Sequence, residues 1–220
     1  WCRPNYNSVV ATFCYNIARD VPIRVDNPSA ELNLAYIDDV VSEIIAAIDG
    51  AAHIAEDGFA YVPRTFKVTV GGLARKIRSY ADSRCSLMMP NLSDDFDRFL
   101  YSTYTSYLPE YRYSLDMKRD DRGWFAEFIK SQQFGQVSLS RTKPGVTRGN
   151  HWHHTKVEKF LVVEGEALIR IRKIGADDVF EMQVSGRELT PVDIPVGFTH
   201  SITNTGQTDL VTLFWANEVF

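Results

Sequence analysis

The sequence predicts an α+β chain, with a mixed α/β segment over residues 1–109 and an all-β jelly roll barrel over residues 110–220. Two observations lead to this prediction. Before Pro109, apolar residues recur mostly at three-to-four spacing, which is typical of amphipathic helices. Beyond it, short β-rich runs alternate with turn residues every eight to twelve positions. Closely spaced strands of this kind favour a sandwich or a barrel.

The first segment is expected to contain four helices and three short strands. The helices are predicted over residues 8–18, 38–50, 73–84 and 93–108, and the strands over residues 22–25, 32–36 and 64–70.

Two of these helices carry further predictions. The second should be capped by Asp38 or Asp39, and the fourth by Ser93, since short polar side chains accept hydrogen bonds from the free amides at a helix start. The spacing of apolar residues in the second helix predicts a face turned toward the core. That face consists of Val41, Ile44, Ile45 and Ile48.

The second segment contains eight runs that are predicted to be strands of the barrel. They are residues 124–129, 136–141, 159–164, 167–174, 179–184, 189–195, 200–204 and 210–215.

Composition narrows the possible partners. The chain has 220 residues and a formal net charge of -4, without a basic cluster, which argues against nucleic acid or an anionic membrane as the main partner. Its three cysteines show no Cys-x-x-Cys spacing, so a reducing cytoplasm is expected. The first residue is Trp rather than Met, which suggests a fragment of a longer protein.

Four of the five histidines lie in two short segments about forty positions apart. His151 and His153 are two positions apart, so an extended strand points both side chains to one face, whereas His154 points to the other. Glu158 follows, and His200 lies in the second segment. Imidazoles and one carboxylate facing a barrel interior provide three or four ligands for a divalent transition metal, and they leave positions for water or substrate.

The same segments resemble the paired motifs of the cupin superfamily. The first motif is His-x-His, four residues, Glu, six residues and Gly, and it runs here from His151 to Gly165. The second is Pro-x-Gly, two residues, His, three residues and Asn, and it runs from Pro195 to Asn204. The resemblance implies a cupin barrel that holds a metal through four side chains: His151, His153, Glu158 and His200.

A narrower resemblance concerns residues 120–152 and 193–201. Their D-x-R-G-x-F, Q-x-S-x-S, R-G-x-H and I-P-x-G-F-x-H elements resemble those of the cupin sugar-nucleotide 3,5-epimerases, which act on 4-keto-6-deoxy hexoses. In that family the histidine of R-G-x-H is the catalytic base, which implies this role for His151. The chain departs from the family at Glu158, where the metal-free epimerases have other residues, including a lysine. One lone pair of His151 cannot bind metal and move protons at the same time.

The first half resembles another family. Residues 1–20 and 31–50 resemble part of the substrate lobe of extended short-chain dehydrogenases/reductases. This order, ahead of a metal cupin, resembles the bifunctional capsular-polysaccharide enzymes that make UDP-2-acetamido-2,6-dideoxy-L-talose. The resemblance implies a zinc cupin that epimerises C3 of a UDP-4-keto-6-deoxy-N-acetylhexosamine, in a protein expected to be a homodimer.

Reduction is not expected of this chain by itself. It has neither a G-x-x-G-x-x-G loop nor a Tyr-x-x-x-Lys pair, so hydride transfer would lack both its cofactor site and its acid. NADPH is therefore expected only for the full-length protein.

Epimerisation beside a carbonyl needs stabilisation of an enolate and proton carriers on both faces of the ring. The candidates for proton transfer are His151, His154, Lys156 and Tyr113. Arg141 and Arg148 are candidates for binding the diphosphate, because guanidinium groups bind phosphate oxygens in pairs.

Two other functions fit the same residues. Three histidines and one glutamate also suit Fe²⁺, so a metal-dependent dioxygenase is an alternative. The other alternative is a non-catalytic cupin that binds a sugar or holds a dimer together, with the histidine cluster making hydrogen bonds in the core.

Overall fold

The computed structural model describes residues 2–219, which form two compact units. The first comprises the residues up to Arg84 together with Leu92–Tyr111, and the second comprises Cys85–Asn91 together with the residues from Arg112 onward. Within the second unit, the backbone of Lys130 pairs with the segment Cys85–Asn91. Lys130 N–H donates to Leu87 O at 2.8 Å, and Lys130 O accepts from Met89 N–H at 2.7 Å.

The part of the chain before the barrel contains helices and a two-stranded antiparallel sheet. The elements are α1 (Val9–Ile17), β1 (Glu31–Leu34), α2 (Ile37–Ile48), β2 (Phe66–Thr69), α3 (Val70–Ser86) and α4 (Asp95–Ser106). Ser8 caps α1, since its Oγ accepts a hydrogen bond from Ala11 N–H at 3.1 Å. The core of the first unit lies between α1, α3 and α4, where Phe13, Ile77 and Leu100 are buried.

The prediction that the apolar face of α2 is turned toward the core is wrong. Its four residues are between 45% and 79% exposed: Val41, Ile44, Ile45 and Ile48. The buried residue of this helix is Glu43, whose Oε1 accepts a hydrogen bond from His53 N–H at 2.5 Å. Helical spacing predicts that an apolar stripe exists, but it does not tell which residues cover the stripe.

Three local predictions are also wrong. Within the described residues no strand forms over residues 22–25, where a proline removes one of the amides that a sheet needs. The start of α2 places Asp38 and Asp39 in the first turn rather than at the cap. The cap of α4 is Asp94 rather than Ser93, because the Asp94 side chain accepts from the N–H three residues further on. Neighbouring polar residues compete for a cap, and sequence alone does not choose between them.

The second unit is a two-sheet antiparallel barrel. Its strands are β3 (Met117–Asp120), β4 (Gly123–Ser131), β5 (Gly135–Thr142), β6 (Thr147–His151), β7 (Glu158–Glu164), β8 (Glu166–Lys173), β9 (Val179–Ser185), β10 (Val192–Ile194), β11 (Phe198–Asn204) and β12 (Leu210–Ala216). One sheet has the order β10-β7-β12-β5-β4-β3 and the other β6-β11-β8-β9. The α+β class with a C-terminal β-barrel is thus confirmed. All eight predicted runs contain strands, and β3 and β6 are additional.

Side-chain alternation fills the barrel. Val162, Ile169, Ile202 and Leu210 are buried between the two sheets. The inward positions of β5 are polar instead, and all four are buried: Gln136, Ser138, Ser140 and Thr142. Strand β5 therefore contributes a row of polar side chains to a largely apolar interior.

Among the described residues, none of the helices has the length and apolar content needed to cross a membrane.

Asn204, the last residue of the second motif, lies at the end of β11 and hydrogen-bonds to two other parts of the barrel. Its buried side chain donates to the carbonyls of Thr142 at 2.9 Å and Thr208 at 2.8 Å. Its Oδ1 accepts a hydrogen bond from Gly206 N–H at 3.0 Å. The amide thereby joins the end of β5 to the turn between β11 and β12.

Replacing this amide should destabilise the barrel. Asn204→Ala is expected to lower the free energy of unfolding by about 3 kcal/mol, because buried backbone groups left without partners each cost roughly 1–3 kcal/mol. Urea unfolding followed by circular dichroism measures the effect. Gln207→Ala, at an exposed position of the same turn, is the control, and equal stability of the two variants would contradict the prediction.

Candidate metal centre

The four residues of the paired motifs converge at one end of the barrel. His151 ends β6 and His200 lies on β11, where the two residues are direct partners in the antiparallel pairing. His153 follows in the loop after β6, and Glu158 is the first residue of β7. One possible ligand atom from each residue lies within 4.8 Å of the other three.

Glu158 lies among the imidazoles. Its Oε2 is 3.4 Å from Nε2 of His153 and 3.2 Å from Nε2 of His200. Ligands bound to one cation at 2.0–2.2 Å lie about 3–4 Å apart, so these separations fit a shared cation.

The burial of this group supports the same interpretation. Glu158 is 7% exposed and His200 is 2% exposed. Glu158 Oε2 and His153 Nε2 are buried, and within the described residues neither has a hydrogen-bond partner. Buried polar atoms without partners are unfavourable, and a cation bound between them removes this cost.

The protonation states suit metal binding. Burial lowers the pKa of both His151 and His153, which favours neutral imidazoles with free lone pairs. Burial alone would raise the pKa of Glu158, but the neighbouring His200, His153 and Lys156 lower it by more. The carboxylate is therefore ionised at neutral pH. Three imidazole nitrogens and one carboxylate oxygen suit zinc and leave room for a further ligand.

Gly149 allows the two histidine strands to approach. Its φ is +97°, and a Cβ at this position would lie 2.7 Å from the carbonyl oxygen of His200. The pairing of β6 with β11 is also irregular between His200 and Ser201. The position of His151 beside His200 thus depends on a residue without a side chain.

A cavity of about 450 Å³ opens beside the four residues. Part of its wall is apolar and consists of Phe125, Phe160, Ile202, Phe214 and Ala216. Another part is polar or basic and includes Arg122, Gln136, Ser138, Arg148 and Lys156. A ligand in this cavity would meet the metal centre, positive charge and an apolar surface together.

Asp120 holds the two guanidinium groups of the cavity. Its Oδ2 accepts hydrogen bonds from Nε and Nη2 of Arg122, at 2.8 and 2.5 Å. Its Oδ1 lies 3.7 Å from Nη2 of Arg148, whose Nε donates to Thr142 Oγ1 at 2.9 Å. The two arginines are thereby fixed in place beside the cavity.

The structure separates the sequence-predicted site residues into two groups. Arg148 and Lys156 line the cavity together with the four possible ligands, whereas Arg141, His154 and Tyr113 are not among its lining residues. Arg141 points outward because its neighbours on β5 point inward, and its Nη1 lies 3.8 Å from Asp209.

The other two residues of the second group also lie elsewhere. The ring of His154 packs against that of Trp152 at 4.3 Å between centroids. Tyr113 is half exposed, ahead of β3.

The apolar wall of the cavity and three of its polar residues escaped the sequence analysis. Arg122 stands in the D-x-R-G-x-F element, and Gln136 and Ser138 stand in the Q-x-S-x-S element. Gln136 Nε2 donates to Ser138 Oγ at 2.9 Å and to Glu127 Oε1 at 3.2 Å. The elements were visible in the sequence, but only the fold shows that these side chains face the cavity.

The close approach at Gly149 yields a prediction. Gly149→Ala should push β6 away from β11 and weaken Zn²⁺ binding by about tenfold or more, the range seen when the support of metal ligands is removed. Competition with a chelating dye measures the dissociation constant. Gly145→Ala is the matched control, because Gly145 also has a positive φ, +73°, but no atom within 4 Å of a Cβ. Equal affinities of two folded variants would contradict the prediction.

Comparison with known proteins shows that the chain is similar to proteins of polysaccharide biosynthesis. Residues 118–220 match the family model described as polysaccharide biosynthesis C-terminal domain. A UDP-2-acetamido-2,6-beta-L-arabino-hexul-4-ose reductase from Pseudomonas aeruginosa is 45% identical over 222 residues, which cover 100% of this chain and 59% of that protein. The spore coat polysaccharide biosynthesis protein SpsL of Bacillus subtilis is 29% identical over 108 residues, or 44% of this chain and 70% of SpsL.

A solved structure agrees over the full chain. The capsular polysaccharide assembling protein CapF from Staphylococcus aureus is 52% identical with a TM-score of 0.93, and the match covers 100% of this chain and 60% of CapF. The chain thus spans about 60% of the length of CapF and 59% of that of the Pseudomonas reductase. The resemblance predicted from the motifs is confirmed: the chain is similar over its full length to proteins of capsular polysaccharide and UDP-sugar metabolism, and its barrel, over residues 118–220, matches the polysaccharide biosynthesis C-terminal domain.

Proposed function

We propose that the barrel is a metal-dependent epimerase that inverts C3 of a UDP-4-keto-6-deoxy-N-acetylhexosamine, in the synthesis of a surface polysaccharide precursor. The convergence of His151, His153, Glu158 and His200 beside a cavity with two fixed arginines supports this proposal most strongly. The Pseudomonas relative is named for a 4-keto sugar nucleotide of this class.

The four converging residues would hold a divalent metal, and zinc suits three imidazoles with one carboxylate. When bound, the metal supplies a Lewis acid that polarises the C4 carbonyl and stabilises negative charge on its oxygen. The ligand residues contribute by holding three imidazole nitrogens and one carboxylate oxygen around a single point. Their burial keeps water from competing for this charge.

The remaining wall of the cavity binds and orients the substrate. Arg122 and Arg148 bind the diphosphate, because two guanidiniums held by one carboxylate match pairs of phosphate oxygens. The apolar wall formed by Phe125, Phe160 and Phe214 accommodates the methyl group of a 6-deoxy sugar. Together these contacts fix the ring relative to the four converging residues.

Proton transfer at C3 falls to groups that reach the cavity. Lys156 is an ammonium beside Glu158 that can deliver a proton to C3, and burial, which lowers the pKa of this lysine, makes that proton easier to release. Inversion also needs a proton carrier on the opposite face of the ring, and His151 can remove the proton there if its lone pair does not bind metal.

An inhibitor of a relative agrees with a metal in the barrel. CapF has been crystallised with 3-isopropenyl-tropolone. Tropolones carry a carbonyl and a hydroxyl oxygen on adjacent carbons, an arrangement that suits binding of one divalent cation through oxygen ligands.

The other predictions extend beyond the barrel. We propose that residues 1–109 are the C-terminal part of a reductase substrate lobe and residues 110–220 the cupin domain. NADPH-dependent reduction at C4 would then require the parts of the relatives that this chain does not match. A homodimer and a cytoplasmic location stay predictions.

Proton abstraction can be tested directly. The zinc-loaded chain, incubated under nitrogen with the UDP-4-keto sugar in D₂O and without reductant, should introduce deuterium at C3, as followed by NMR. Glu158→Gln should slow this exchange about a hundredfold or more, because a Lewis acid contributes several kcal/mol to the barrier.

Lys159→Ala is the control, because Lys159 is exposed, pairs with Asp193 and does not line the cavity. Absence of exchange with the wild-type chain would contradict an epimerase and leave a binding protein. Turnover that requires oxygen would indicate the dioxygenase instead.

The arginines give a second test. Arg122→Ala should raise the KM for the sugar nucleotide about tenfold or more, since a hydrogen bond to a charged group contributes roughly 1.5–3 kcal/mol. Arg141→Ala should leave the KM unchanged, because Arg141 lies outside the cavity. Initial rates of exchange at varied substrate concentration measure both. A larger rise in KM for Arg141→Ala than for Arg122→Ala would contradict the assignment of the diphosphate site.

A further inference from the structure

The two oxygens of Glu158 lie in different surroundings. Oε2 faces the histidines, at 3.4 Å from His153 Nε2 and 3.2 Å from His200 Nε2. Oε1 faces Lys156, whose Nζ is 3.7 Å away. Oε2 is buried without a hydrogen-bond partner among the described residues. The carboxylate thus turns one oxygen toward the metal position and the other toward a fixed positive charge.

Lys156 is held at this place by the loop that carries it. Its side chain is 12% exposed and lines the cavity. The next residue is anchored twice, because Val157 N–H donates to Asn217 Oδ1 at 2.8 Å and Val157 O accepts from Asn217 N–H at 3.2 Å. The ammonium group is therefore part of the wall rather than a solvated surface charge.

A carboxylate can bind a cation through one oxygen or through both. Binding through both would use a coordination position that a substrate oxygen needs, since catalytic sites keep a position open. An ammonium beside Oε1 stabilises the charge on that oxygen. If Oε1 moved to the cation, this contact would be lost and two positive charges would share one carboxylate.

We propose that Lys156 is a positioning residue that keeps Glu158 bound to the metal through Oε2 alone and thereby leaves a coordination position for the substrate. The inference rests on the metal centre of the proposed function, but not on the reaction that occurs there.

If Lys156 has this role, its removal should not weaken metal binding, which is the opposite of the usual result for a residue that supports a metal ligand. A residue that supports a metal ligand strengthens binding, and its removal typically weakens the affinity by about 10–100-fold. A positive charge beside the metal opposes binding of a second positive charge. Lys156 should therefore lower the affinity for the metal while it keeps the site open.

The test uses Co²⁺ as the probe, because its visible absorption weakens as its coordination number rises. In Lys156→Met, which keeps a long side chain without its charge, Glu158 should bind through both oxygens. The Co²⁺ absorption should then decrease, and the dissociation constant, measured by chelator competition, should not rise. Lys156→Arg retains the cation and should keep the absorption of the wild-type chain.

Lys159→Met is the matched control, because it removes a neighbouring lysine charge that pairs with Asp193 outside the cavity. Its spectrum should equal that of the wild-type chain. An unchanged spectrum of Lys156→Met, or a 10–100-fold rise in its dissociation constant, overturns the role of Lys156 alone. A wild-type chain that binds no Co²⁺ overturns this role and the metal centre together.

Discussion

The site depends on the pairing of β6 with β11, which places His151 directly beside His200. Two strands from distant parts of the chain must approach more closely there than side chains on both would allow. Gly149 makes this possible, since any Cβ would collide with the carbonyl of His200. The backbone therefore fixes two of the four possible ligands before any metal binds. Such preorganisation is what a catalytic metal centre requires.

Burial gives the centre its chemistry. Glu158 and His200 are nearly inaccessible to water, and His153 presents a buried nitrogen without a partner among the described residues. Burial favours the neutral form of His151 and His153 by lowering their pKa, whereas the carboxylate of Glu158 stays ionised because its pKa is also lowered. Lys156 offsets only part of the charge of the buried carboxylate, so a cation bound between Glu158 and the histidines would stabilise the barrel further. The stability of the barrel and its proposed function thus both favour a cation bound by these four residues.

The cavity combines three kinds of recognition around this centre. Asp120 fixes two guanidiniums beside it, and the opposite wall is aromatic. Lys156 adds a positive charge next to the carboxylate of Glu158. A charged, partly apolar and metal-binding ligand fits such a wall better than a purely apolar one. The proposed nucleotide sugar has these properties, and the Pseudomonas relative is named for such a compound.

By itself, the sequence determined the class of the fold and the four possible ligands, because strand alternation and motif spacing are local properties of the chain. It failed where the outcome depends on distant residues. The apolar stripe of α2 was visible, but not its exposure, and the side chain of Arg141 lies outside the cavity although its strand neighbours Gln136 and Ser138 line it. Only the tertiary structure brought Arg122 to the cavity and set Lys156 against one oxygen of Glu158. Such contacts are decided by how strands pair across the barrel, which no local pattern specifies.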